Sequence, residues 1–499
     1  MNARGKSDDS IVPLNPANKD DQAGSSAESA EGRESARRNI DQSNLDRTLK
    51  PEHRRSRGLL GVRNAAHANR ELKFTALLHH VGVELLTSSF YQLKKSAAVG
   101  VDQVTWHEYE QGLEDRIDDL HGRIHRGAFR AKPSKRVYIE KADGRQRPLG
   151  ISSLEDKVVQ HAVREVLQCI YEEDFLGFSY GFRPHRSQHQ ALDALYVAIS
   201  EKRVNWILDA DLEGFFDNLD RDWLVKFIEH RVGDKRIVRL IQKWLNAGII
   251  EDTAWSDTGK GAPQGAVLSP LLSNVFLHYV FDLWINQWRG RHANGDCVVV
   301  RYADDFVIGF EHEAEARACL EALTERLQQF GLTLHPKKTR LLEFGRHSAA
   351  KREREGRGEC ETFDFLGFTH VCGKTRSQRF ALKRITKASR MRRTLAAIKV
   401  KLERRRHDSL GQTGRWLTSV VRGWQQYHSV PDNYARLEQF DKAITKLWRR
   451  QLQRRSQKGK ARWPWKRLSP VVRKYLPRPR IIHPRPNIRH YARLRAGAV

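Results

Sequence analysis

A chain of 499 residues is too long for one small core, so two or three domains are expected. Lysine and arginine outnumber aspartate and glutamate by 89 to 60, a formal net charge of +29, which points to a polyanionic partner, with nucleic acid ahead of a membrane surface. The sequence has no apolar run of about 18 residues for a membrane span and no apolar signal core at its start, and its five cysteines show neither a CxxC pair nor zinc-like spacing with histidine, so a cytoplasmic protein with free thiols and no membrane partner is expected.

Residues 1–68 are rich in Ser, Asn, Asp, Arg and Gly and poor in aromatics, which predicts a flexible N-terminal tail. Order is expected to begin near "ELKFTALLHHVGVELLTSSFYQLK", where apolar residues recur at helical spacing, and helices should alternate with short strands up to residue 372. "VNWILDADLEGFFDN" (204–218) reads as a strand ending near Asp211, followed by a helix capped by Asp220. "CVVVRYADDFVIGF" (297–310) reads as a β-hairpin with Ala303 to Asp305 at its turn. "TFDFLGFTHV" (362–371) alternates like a single half-buried strand, and the charged stretch before it, "GRHSAAKREREGRGE", reads as an exposed insert. From "KRITKASRMRRTLAAIKVKLERRR" onward the pattern is helical and strongly basic. Residues 383–499 hold 33 basic and 5 acidic side chains and five tryptophans, whereas the preceding 382 residues are nearly neutral. The last stretch, 456–499, has too many prolines for a long helix, and its aromatics alternate with Arg and Lys, as in a possible DNA-binding region.

The two aspartates in "RYADDFVIGF" stand where the surrounding pattern asks for apolar side chains. A bare Asp-Asp pair is usually a solvated turn. Here it lies between two apolar strands, and the strand ending at Asp211 offers a third carboxylate. Three close carboxylates repel one another unless a cation neutralises them. Hard oxygen ligands suit Mg²⁺, and two such ions can activate an attacking oxygen and stabilise a leaving one in phosphoryl transfer.

With these residues in place, the chain resembles the reverse transcriptases encoded by bacterial group II introns, which also act as maturases. The resemblance rests on motifs in family order: "VGVDQVT", "IEKADGRQRPLGISSLEDKVVQ", "SYGFRPHRSQHQAL", "DADLEGFFD", "GAPQGAVLSPLLSNVFLHYVFD", "YADD", "LTLHPKKTRLL", "FDFLGF", and the "RGW" within "LTSVVRGWQQYHSVPDN". It implies an α/β (α+β) right-hand polymerase with fingers and palm over 69–372, an α-helical thumb (maturase domain X) over 373–455, and the basic segment 456–499. Asp211, Asp304 and Asp305 become the catalytic, metal-binding triad for two Mg²⁺ ions. Asp209 reads as a supporting residue rather than a ligand. Phe216 takes the position that blocks a ribose 2′-OH. Lys141 and Arg147 match residues that contact the nucleoside triphosphate, Gln264 one beneath template and nucleotide, and Lys338 a lysine near the reacting phosphates. Arg422 and Trp424 of the RGW motif imply RNA binding.

The implied partners are group II intron RNA, an RNA template with a DNA primer or target, and deoxynucleoside triphosphates. The implied roles are RNA-directed DNA synthesis and assistance to intron splicing and mobility. Some family members carry an H-N-H endonuclease after the basic segment, and none is expected here. Two alternatives remain: an RNA-binding splicing cofactor with an inactive polymerase, and a retron- or defence-type reverse transcriptase. The intact YADD, Asp211, Lys141 and Arg147 argue against the first, and the RGW-bearing thumb against the second.

Overall fold

The computed structural model describes residues 57–140, 146–251, 254–256, 259–261 and 265–496. Helix α1 (Arg57–Ala68) buries Leu59, Val62 and Ala66, three and four residues apart on one face. Arg63 and His67 on the same helix reach Glu173 at 2.8 and 3.0 Å. The expected tail boundary at residue 68 is therefore corrected. Its last 12 residues are an amphipathic helix packed into the fold, and residues 1–56 lie outside the described residues.

Helices α2 (Val83–Gln92), α3 (Trp106–Glu110) and α4 (Leu113–His125) lead into strands β1 (Ser134–Glu140) and β2 (Gln146–Ile151). Then come α5 (Leu154–Asp174), α6 (Gln188–Glu201), β3 (Trp206–Asp211), α7 (Phe215–Asn218), α8 (Arg221–Arg231) and α9 (Lys235–Leu245). Ser153 and Ser187 cap α5 and α6 by accepting the backbone N–H three residues on, and Asp220 caps α8 in the same way, as its sequence predicts. Strands β4 (Ile249–Glu251) and β5 (Ala254–Ser256) complete the fingers sheet, ordered β2-β1-β4-β5.

Helices α10 (Ser269–Leu277) and α11 (Leu283–His292) are joined by a π-helical turn, His278–Asp282. Strand β6 (Cys297–Tyr302), strand β7 (Asp305–Phe310), helix α12 (Glu313–Gln328) and strand β8 (Arg340–Glu343) follow. The palm sheet, β6-β7-β3-β8, is antiparallel throughout. Its period-two alternation sends Val298, Val300 and Val307 to one face, with Ala191, Leu195 and Ile199 of α6. Val299, Phe306 and Ile308 go to the other face, in a core shared with Ala316, Leu323 and Leu327 of α12. Because both faces are covered, the strands read as nearly unbroken apolar runs.

After helix α13 (Arg346–Arg354), "TFDFLGFTHV" proves to be two strands, β9 (Phe363–Phe365) and β10 (Phe368–Lys374). Leu366 and Gly367 adopt left-handed backbone (φ 48° and 82°) and fold the chain back on itself, which corrects the single expected strand. The charged insert is also more ordered than expected, since it contains α13, whose Ser348 is buried and donates to the Asn205 carbonyl at 2.8 Å.

Strand β11 (Phe380–Thr386) pairs with the whole of β10, so a thumb beginning at 373 would cut a hairpin in two, and the helical region starts at Ala388 instead. That region comprises α14 (Ala388–Arg404), α15 (Leu410–His428), α16 (Tyr434–Gln453), the short α17 (Gly459–Arg462) and α18 (Trp465–Tyr475) around a separate apolar core. The Pro-rich end is also helical in part: α18 contributes Leu468 to that core, and α19 (Pro486–Ala496) packs on α6. Among the described residues no helix is long and apolar enough to cross a membrane.

Candidate active site

Strand β3 pairs with β7 so that Asp211 lies directly opposite Asp305, and the β6–β7 turn carries Ala303 and Asp304. The register thus brings together the three carboxylates named from sequence, two of them on paired strand ends and the third in the adjoining turn. Asp305 reaches solvent at the strand end, yet protein atoms crowd its carboxyl. Burial first, then the charges of Asp304 and Asp211 and a hydrogen bond with Asp211, push it up to about 7, with Lys338 opposing. Like-charged groups this close share a proton or take up a cation.

Lys338 supplies one positive charge through an ion pair with Asp211. Its loop is tied to the end of β3, since His335 N–H donates to the Asp211 carbonyl at 2.8 Å and Lys338 N–H to the His335 carbonyl at 3.0 Å. Among the described residues no three carboxylate, imidazole or thiol side chains stand ready-arranged to hold an ion. The donor chemistry nevertheless fits a hard divalent cation, because crowded carboxylates that draw in a lysine ammonium are short of positive charge. Asp209 turns instead to Arg340 at 3.5 Å, and its carboxyl is pushed up to about 6, chiefly by burial.

Phe216, five residues after Asp211, is half-buried, while its neighbour Phe215 fills the core. Gly261, the first residue of the GAPQG motif, has φ 82°, and a Cβ there would come within 2.8 Å of the Phe216 carbonyl, so the chain at Gly261 presses against the short helix carrying Phe216. Gln264 and Lys141 lie outside the described residues. Arg147 stands on β2 opposite Ile139.

Sequence reasoning missed what holds the turn. Arg301, just before "YADD", is wholly buried and donates to Asp282 Oδ1 and Oδ2 (2.6 and 2.5 Å), Asn274 Oδ1 (3.1 Å), Ser179 Oγ (2.7 Å) and the carbonyl of Ala303 (3.0 Å). One guanidinium thus ties the β6–β7 turn to the α10–α11 region and to the loop before α6. Asn274 in turn donates to the Gly181 carbonyl at 2.7 Å. A Cβ on Gly181 would lie 2.3 Å from the Ala303 nitrogen, so the "YGFRP" loop backs directly onto the turn. The available signal was an arginine inside the apolar run "CVVVRY", since a buried charge needs a partner.

Trp424 requires a correction. Only 8% exposed, it stacks on Phe440 with ring centroids 4.3 Å apart and belongs to the thumb core, because its α15 face also carries Leu417 and Val421. It is not an RNA-contacting surface residue. Arg422 is exposed on the same helix.

Residues 139–370 match the family described as "Reverse transcriptase (RNA-dependent DNA polymerase)". The chain carries a reverse transcriptase domain. The sheet bearing the three aspartates lies within the matched span, and the fold is that domain's fingers and palm followed by a helical thumb region. The chain is 33% identical to "Protein YkfC" of Escherichia coli over 238 residues, 42% of this chain and 62% of that protein. It is 39% identical to "Group II intron-encoded protein LtrA" of Lactococcus lactis over 166 residues, 33% of this chain and 27% of that protein. It is also 26% identical to "Nuclear intron maturase 3, mitochondrial" of Arabidopsis thaliana over 161 residues, 32% of this chain and 21% of that protein. The matches thus span less than two thirds of these relatives, and group II intron-encoded proteins are among them.

Proposed function

We propose that the reverse transcriptase domain extends a DNA 3′-hydroxyl along an RNA template, using deoxynucleoside triphosphates, and that the chain binds group II intron RNA to assist splicing and mobility. The observation that carries the reading is the β3–β7 register setting Asp211 against Asp305 beside the turn that holds Asp304. In this reading these carboxylates hold divalent ions, Mg²⁺ by the hardness of their oxygens. When bound, such ions supply charge stabilisation for the attacking and leaving oxygens of phosphoryl transfer.

The chain's own residues do the rest. Lys338 balances Asp211 and stands as a proton source beside the reacting phosphates. Phe216 limits space at the sugar, Lys141 and Arg147 bind the triphosphate, and Gln264 lies under the template. Fingers and palm run to Thr386, and the thumb begins at Ala388. Arg422 and the excess positive charge after residue 383 grip RNA through its phosphates.

The test is extension of a DNA primer on an RNA template with Mg²⁺ by the parent and by Asp304→Asn and Asp305→Asn, each checked for folding and RNA binding. Extension by the parent alone is expected. Equal extension by all three would refute the carboxylate assignment, and tight RNA binding with no extension by any would leave an RNA-binding splicing cofactor.

A further inference from the structure

Seven non-glycine residues among those described have left-handed backbone, and two of them meet at the β6–β7 turn: Ala303 in the turn itself and Phe182, next to the Gly181 that backs onto it, with φ of 58° and 57°. A bulky aromatic pays for that conformation in steric strain, and such strain persists only where neighbouring structure holds it. Phe182 is held from both sides. Before it, Gly181 lies so close to Ala303 that a Cβ would stand 2.3 Å from the Ala303 nitrogen. After it, Arg183 is buried, donates to the carbonyls of Leu176 and Ser179 at 2.8 Å each, and pairs with Glu172 at 3.0 Å.

The phenyl ring takes no part in this clamp. It is 54% exposed, and its centroid lies 6.3 Å from the half-buried ring of Tyr302, the residue that opens "YADD". A single exposed aromatic is ordinary. One fixed in a strained backbone against the residue that opens "YADD", in a chain of net charge +29, has an open ring face at the edge of the candidate site.

We propose that Phe182, beside Tyr302, is a stacking platform for one nucleotide of the polynucleotide bound at Asp211, Asp304 and Asp305. Every nucleobase presents a π-face, so the platform fixes the position of the strand without reading its sequence. The inference rests on the polymerase reading for the choice of ligand, but it is tested by binding.

The full chain and its Phe182→Ala, Phe182→Gly and Phe182→Trp variants would be titrated with a primer–template duplex carrying 2-aminopurine at the primer 3′ end, and their Tm values and primer extension measured alongside. Losing the platform should raise Kd at least about fivefold in the Ala and Gly variants, and Trp should restore it. The Gly variant should keep or raise Tm, because glycine accepts the left-handed backbone without strain. A merely structural Phe182 predicts the reverse: a lower Tm for Gly, with Kd and 2-aminopurine emission as in the parent, and that result would overturn the proposal. If the parent fails to extend the primer while these binding differences persist, the polymerase reading falls and the platform stands.

Discussion

The palm and the C-terminal helical region distribute their charge in opposite ways. Around the β6–β7 turn the charged groups are few and individually held: Arg301 is wholly buried with five side-chain hydrogen bonds, and Asp211 is tied to Lys338. From residue 383 onward the charges are many and mostly superficial, 33 basic against 5 acidic, while tryptophans such as Trp424 and Trp448 turn inward to make the core. Chemistry at one phosphorus needs a few groups fixed in place, whereas holding a long polyanion needs only a broad field. Single substitutions should therefore damage the palm through geometry and the thumb through packing, and a surface charge in the thumb should matter little.

Arg301→Ala should give the largest effect. Leaving Asp282 buried without its partner is expected to cost about 3–5 kcal/mol in denaturant unfolding and to abolish primer extension. Replacing the pair together, Arg301→Met with Asp282→Leu, should recover much of the stability but not the extension. Full activity in that double variant would break the claim that the network positions the turn.

Next, Trp424→Ala should cost about 3 kcal/mol or more, with RNA affinity falling only as the thumb unfolds. If RNA affinity dropped in a variant that remained folded, the assignment of Trp424 to the core would be wrong.

A pH titration sharpens the contrast, because the basic thumb has few carboxylates to protonate. Asp234 caps α9 and accepts the N–H groups of Leu77 and Leu78 at 2.8 and 2.9 Å. Burial alone would push its carboxyl up, but the hydrogen bonds from Arg236 and those two amides outweigh it and hold the carboxyl at about 2. A depressed folded value contributes stability above the unfolded value near 4 that is lost as pH falls through about 2. The stability difference between the parent and Asp234→Asn should therefore be widest above pH 4 and should narrow towards pH 2. A constant gap across that range would refute the linkage. Smallest of all, Arg422→Ala should leave stability within about 0.5 kcal/mol and lower the salt dependence of RNA binding by roughly one ion.

What the sequence disclosed follows the range of the interactions involved. The hairpin around Ala303 to Asp305, the strand ending at Asp211 and the Asp220 cap depend on neighbours within a few residues, and their patterns were readable. The pairing of Asp211 with Asp305 joins distant strands, and periodicity does not give their register, so resemblance had to stand in for geometry. Leu366 gave no sign of left-handed backbone, since only the packed strands on either side impose it, and the "FDFLGF" reversal was missed. Trp424 was judged by its motif rather than its helical face, although Leu417, Val421 and Trp424 lie at core spacing. Helix α1 was lost in the average composition of the polar segment that contains it.

Buried Asp193 on α6 pairs with Arg384 of β11, just before the thumb, and with Arg489 and Arg493 of α19, after it. The chain therefore leaves the palm and returns to it at one carboxylate, which makes the thumb a closed handle rather than a free flap. A handle riveted at both feet through one carboxylate has a single point of failure, so loss of that carboxylate would loosen its start and its end together.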